Sequence, residues 1–316
     1  MKFRRITNAA LALSFLAFSA QAQSPQAAYD HLNRGGSLYK KGDYEGAIVN
    51  YTKAIEISSR LDNRGSADDW KRKMRSGEVT ASFDNVGVID PVTALAYANR
   101  GLARFQKGDF EGALADCNRA IAISPRLADA YNNRGLIRYT QGDYDRALID
   151  FDRAIAIDPS GPEVFNNRGN ARMEKKDIDG ALADFDRAIQ IDPRLKVVYY
   201  NRGFLKRTQG KADEALKDFD KALAIDSRLA SGYYGRGVVM CDKGQVDQGI
   251  AEFSRAIELN PLFAVAWANR GMAYLRQGKD AEFERDIARA LTLDPTLEPE
   301  IKETIERVKQ WKRSHQ

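Results

Sequence analysis

The chain is poor in the side chains that carry most protein chemistry. Among 316 residues there are two cysteines, two histidines and three tryptophans. His31 and His315 stand far apart, and no nucleophile–base set, metal-ligand spacing or phosphate-binding loop accompanies them. A non-enzymatic chain without cofactor or metal is therefore expected. Long apolar runs are also lacking. The one candidate, Ala9 to Phe18, is too short to cross a bilayer. It follows the basic start Lys2-Phe3-Arg4-Arg5 and precedes the small residues Ala20-Gln21-Ala22, the pattern of a secretory signal peptide over 1–22, cut after Ala22. The expectation is a periplasmic or secreted protein with no stable membrane insertion once that segment is removed. Charge of one sign is scarce as well. Without Lys2, Arg4 and Arg5 the net charge falls from +5 to +2, so nothing here argues for a nucleic-acid partner.

What the sequence does have is a repeat. Asn-Arg-Gly recurs at 99–101, 133–135, 167–169, 201–203 and 269–271, with Gly235-Arg236-Gly237 filling the gap, at a strict period of 34. Asn33-Arg34-Gly35 stands one period plus 32 residues before the second copy. Seven repeats follow: 28–61, then, after an insert at 62–93, 94–127, 128–161, 162–195, 196–229, 230–263 and 264–297. Cys117 and Cys241 lie four repeats apart, beyond disulfide reach, and Cys117 takes a position that is aromatic in most copies, as expected of a small buried hydrophobe.

Within a repeat, position 4 is aromatic in six copies, position 8 is glycine in all seven, and position 27 is alanine in all seven. Position 15 is glycine except for Lys176, and position 20 is alanine except for Gly249 and Phe283. At about 100° per residue, positions 4, 7, 8 and 11 share one face of a first helix. Small residues at 8, 20 and 27 let two helices approach closely, Gly-Asp pairs stop the first and start the second, and Asp-Pro pairs end the second. One such pair cannot bury its apolar face alone, so the units must stack.

This pattern resembles the tetratricopeptide repeat family over residues 28–297. The resemblance implies an all-α, right-handed superhelical solenoid of helix-turn-helix repeats, with first helices lining a concave groove. Positions 2, 5, 6, 9, 12 and 13 would face that groove, a face the core does not need. Position 6 is asparagine at Asn33, Asn99, Asn133, Asn167, Asn201 and Asn269, and an amide can both donate to and accept from a peptide backbone. Around that row lie Phe105, Tyr139, Tyr200 and Phe204, with Leu102, Leu136, Met173, Tyr234, Val238 and Met272. These residues are the candidate peptide-binding groove; the alternative is that tandem copying propagated the asparagines. The family's carboxylate clamp is not expected, because its positions hold residues such as Leu95, Ala98, Asn132, Glu163 and Val197.

Position 7 is arginine in every copy and position 23 is acidic in six, with Asn50 the exception. Each arginine is expected to bridge an acid on a second helix, within or between repeats, as a structural pair. The insert carries a basic run around Trp70 and a β-like stretch over Val79–Ile89; it reads as a surface loop or as a docking hook. Residues 298–316 predict a lone helix with a stripe of Ile301, Ile305, Val308 and Trp311, a cap on the last repeat or a separate partner-binding helix. The function expected is a protein–protein interaction scaffold of the bacterial envelope binding an extended peptide. The alternatives are a self-assembling structural component and, more weakly, a polysaccharide binder.

Overall fold

The computed structural model describes residues 24–62 and 91–314, with side chains for 24–60 and 91–308. The leader over 1–22, Trp70 and Val79–Ile89 of the insert, His315 and the side chain of Trp311 lie outside the described residues. The described residues form fifteen α-helices and one short 3-10 turn, an all-α solenoid of helix-turn-helix repeats. They divide into two compact units, one up to Ala171 and one from Arg172.

In the first unit the pairs are α1 (Pro25–Lys40) with α2 (Tyr44–Asp62), α3 (Pro91–Gln106) with α4 (Phe110–Ile123), and α5 (Ala128–Thr140) with α6 (Tyr144–Ile157), followed by α7 (Pro162–Glu174), within which the units divide. The second unit holds α8 (Ile178–Ile191), the pair α9 (Lys196–Thr208) and α10 (Ala212–Ile225), and the pair α11 (Ala230–Asp242) and α12 (Val246–Leu259). It ends with α13 (Ala264–Gln277), α14 (Asp280–Leu293), the 3-10 turn Pro295–Leu297 and α15 (Glu298–Ser314).

The turn chemistry explains the pairing. Glycines 108, 142, 210, 244 and 278 take φ between 74° and 81°, the left-handed conformation that ends a helix without a Cβ penalty. Asp109, Asp143 and Asp177 then cap the next helix by accepting the backbone N–H three residues on. Lys176 keeps the same turn where glycine is missing and sits at φ 61°. A lysine there bears the strain that glycine avoids, about 1–2 kcal/mol.

Close packing accounts for the invariant glycine at position 8. A Cβ on Gly135 would lie 2.6 Å from the Phe151 ring and one on Gly237 would lie 2.9 Å from Phe253. Those rings, fully buried, fill their repeats, as Phe185 and Phe219 fill theirs. Two departures have physical reasons. Gly249 replaces alanine because the Cys241 thiol occupies the space, 2.3 Å from where its Cβ would be. Phe283 is half-buried in the apolar cluster shared by α13, α14 and α15.

The insert does not disturb the stack. Arg100 donates to Thr52 Oγ1 at 3.0 Å, the contact that Arg134 makes to Asn118 at 2.7 Å across an ordinary repeat boundary. Lys107 pairs with Glu45 across the same boundary. Repeat two thus packs on repeat one in register, and Val92, at the end of the insert, is buried in the cluster that the two repeats share.

Candidate functional site

The position-7 arginines form clamps. Arg134 donates from Nε and Nη2 to the two oxygens of Asp150 at 3.0 and 2.7 Å, and its Nη1 reaches Asn118 of the preceding repeat. Arg100 with Asp116, Arg202 with Asp218, Arg236 with Glu252 and Arg270 with Asp286 repeat the fork. The expected pairing therefore falls within the repeat, while Nη1 ties the second helix before it: Arg168 to Asp152, Arg202 to Asp186, Arg236 to Asp220 and Arg270 to Ser254. The position-4 ring lies against each guanidinium, with Trp267 4.7 Å from Arg270. A second cation at position 11 was not read from the sequence. Arg104, Arg138, Arg172 and Lys206 reach the same buried carboxylates at 2.7–3.0 Å. The spacing of four from position 7 was the available signal. Repeat one departs: Asn50 holds His31 Nδ1 at 3.0 Å, and Arg34 is exposed.

The position-6 amides do more than face outward. Asn133 is buried and donates to the Ala98 carbonyl at 3.2 Å; Asn167 donates to Asn132 Oδ1 at 3.0 Å. Asn269 reaches the Tyr234 hydroxyl at 3.4 Å and the Val265 carbonyl at 2.8 Å. In each case the acceptor in the neighbouring repeat is at position 5, so these amides staple consecutive first helices. Asn99 and Asn201 are half-buried, and Asn33 is exposed. The row breaks at Gly235 because a Cβ there would lie 2.4 Å from the Phe219 ring.

The aromatics of this face also contribute to packing. Phe105 packs edge-on against Phe110 at 5.8 Å, and Tyr139 lies tilted against Tyr144 at 5.6 Å. Tyr200 lies 5.8 Å from Phe219, and Phe204 joins the same cluster with Arg207 over its ring. All four remain half-buried, each presenting part of its surface. The expectation that the core does not need this face holds only in part, because side chains at positions 5, 9 and 12 are large enough to reach the neighbouring helix.

In the second unit, α15 lies against this face. Ile301 and Val308 are buried with Ala268, Met272 and Leu275 of α13, which occupy positions 5, 9 and 12. Beside the helix runs a cleft of about 730 Å³ lined by Cys241, Asp242, Val246, Arg276, Thr304 and Arg307. Burial pushes the Cys241 thiol up to about 11 and that of Cys117 up to about 12, so neither is a thiolate near neutrality. Tyr234 is raised to about 12, by burial first and then by neighbouring groups that include Glu300 of α15. Among the described residues no group of histidines, cysteines and acids could hold a metal ion, and no helix is long and apolar enough to cross a membrane.

Family models described as tetratricopeptide repeat match residues 31–60, 78–128, 109–165, 162–195, 197–228 and 241–298. The chain belongs to the tetratricopeptide repeat family. Comparison with curated proteins gives no match. Among solved structures, a tetratricopeptide repeat protein from Parabacteroides merdae is similar at a TM-score of 0.61 and 18% identity, covering 90% of this chain and 99% of its own. A chain of the APC/C hetero-tetramer Cut9–Hcn1 is similar at 0.62 and 14%, covering 86% and 55%. PilF of Pseudomonas aeruginosa is similar at 0.56 and 21%, covering 64% and 92%. At these identities the likeness is one of fold.

Proposed function

We propose that this chain is a non-catalytic protein–protein interaction scaffold that holds an extended peptide segment on its first-helix face. The observation that carries the reading is the row at positions 5, 6, 9 and 12 in the first unit. Half-buried Asn99, Leu102, Phe105, Asn132, Leu136 and Tyr139 there combine amides with apolar surface on rigid helices. An amide that donates one N–H to the neighbouring repeat keeps a second N–H and an acceptor, which suits a peptide backbone of any sequence. Side chains fixed by packing lose little entropy on binding. The candidate groove comprises Asn33, Asn99, Asn133, Asn167, Asn201, Asn269, Phe105, Tyr139, Tyr200 and Phe204. The signal-like leader supports a location in the bacterial envelope, periplasmic or secreted.

A second reading, assembly through the second helices, has its own support in Val49 and Ile149. Both occupy position 22 and are 46% and 66% exposed. A photo-crosslinking residue at Leu136 or at Ile149, in residues 23–316 mixed with envelope extract, separates the two. Protein capture from Leu136 alone supports the groove. Capture from Ile149 alone, or of a second copy of the chain, sinks the groove reading.

A further inference from the structure

We propose that the first-helix face of repeats six and seven is a docking site for an amphipathic helix, and that α15 is its resident occupant. The partner it fits is a helix with aliphatic side chains at i, i+4 and i+7, the spacing of Ile301, Ile305 and Val308. This inference concerns the second unit and does not depend on extended-peptide binding.

The position of α15 carries the argument. Elsewhere a first helix packs on the second helix of the repeat before it, as α5 does on α4, α11 on α10 and α13 on α12. After α14 that place is taken by the 3-10 turn, and α15 packs on α13, a first helix, in a cluster that also holds Phe283 and Ile287 of α14. It also reaches back beyond its neighbour. Thr304 shares a cleft with Arg207 of repeat five, Cys241 of repeat six and Asn269 and Met272 of repeat seven. A cap confined to α14 would not extend over repeats five and six. This helix crosses positions 5, 9 and 12 of α13; in the first unit positions 9 and 12 hold half-buried Leu102, Phe105, Leu136 and Tyr139.

Its hold is partial, which makes it an occupant that can be exchanged. Ile301 and Val308 are its buried side chains among those described, while Thr304 and Ile305 are half-buried. Lys302 and Arg307 pair with Glu298 and Glu303 of the same helix. The cleft of about 730 Å³ remains unfilled beside it. In its wall Gln277 donates to Asp247, but its buried Oε1 has no partner. An orphan acceptor and an unfilled apolar-polar cleft are costs that a bulkier helix carrying a donor would remove. Partner binding then proceeds by displacing α15, so the site is self-limited until a better-fitting helix arrives.

The test uses a fluorescent synthetic peptide of residues 298–316 and the chain 23–316, intact and as the Ile301→Asp/Val308→Asp double variant. The double variant is expected to bind the peptide saturably, at one per chain, at least tenfold more tightly than the intact chain does. Equal binding by both chains, or none by a double variant of unchanged helical content, overturns the proposal. Should the double variant lose its helical content, hydrogen exchange on the intact chain decides. Saturating unlabelled peptide should raise exchange at the amides of 301–308 at least tenfold; unchanged exchange overturns the proposal.

Discussion

Asp150→Ala tests the claim that buried clamps, rather than helix propensity, hold the repeats together. The carboxylate is 1% exposed and accepts three charge-assisted hydrogen bonds, two from Arg134 and one from Arg138. Breaking a buried pair costs about 3–5 kcal/mol, because the surviving charge is stranded. The two guanidiniums are 17% and 23% exposed and regain some water, which lowers the expected loss to about 2–4 kcal/mol. Repeat arrays need not unfold in one step, so a global midpoint would blur a local loss. Hydrogen exchange at the amides of α5 and α6 reads it directly: protection should fall by roughly 30- to 1000-fold at 1.4 kcal/mol per decade. The control is Arg146→Ala, which removes an exposed pair to Asp143 at 3.1 Å and should cost less than about 0.5 kcal/mol. If Asp150→Ala costs no more than Arg146→Ala, the clamp is solvated and the account of the repeat interface fails.

Lys176→Gly should stabilise the chain by about 0.5–1 kcal/mol in chemical denaturation, since relief of a left-handed lysine exceeds the added freedom of the unfolded chain. Gly235→Asn, which completes the asparagine row, should instead cost about 1–3 kcal/mol, because its Cβ would press on Phe219; a neutral effect in the same assay would contradict the packing given for that helix. Asn133→Ala should cost about 1 kcal/mol through loss of its bond to Ala98, seen as faster exchange in α3 and α5. A thiol reagent at pH 8 should modify Cys241 slowly and Cys117 only on unfolding. Both thiols are held protonated well above that pH by burial, and their reactivity should rise as the pH approaches about 11 and about 12.

Much of this architecture is legible in the residues alone, because each repeat writes its own instructions. Glycine at the turn, aspartate at the cap, proline after the second helix and small residues at positions 8, 20 and 27 act over a few residues, and local physics reads them without the rest of the chain. The structural role of the position-7 arginines was legible for a similar reason: a charge repeated on a packing face needs an opposite charge, and position 23 supplies one. Which helix supplies the remaining contact was not legible, since both a neighbouring and an internal partner satisfy the same charge rule. The geometry divides the guanidinium between Asp150 and Asn118, one inside the repeat and one outside it.

Three features were decided only by tertiary packing. The position-6 asparagines face outward by periodicity, yet Asn133 is buried, because helix spacing brings the Ala98 carbonyl within reach of its amide. The interruption of that row at Gly235 depends on the ring of Phe219, sixteen residues away and on another helix. The last helix shows an amphipathic stripe that fits a cap on α14 or a berth on α13 equally well. Periodicity fixes which side of a helix is buried, but the surface that buries it depends on the shape of the face offered, and here Ala268, Met272 and Leu275 of α13 offer it together with Ile287 and Ala290 of α14.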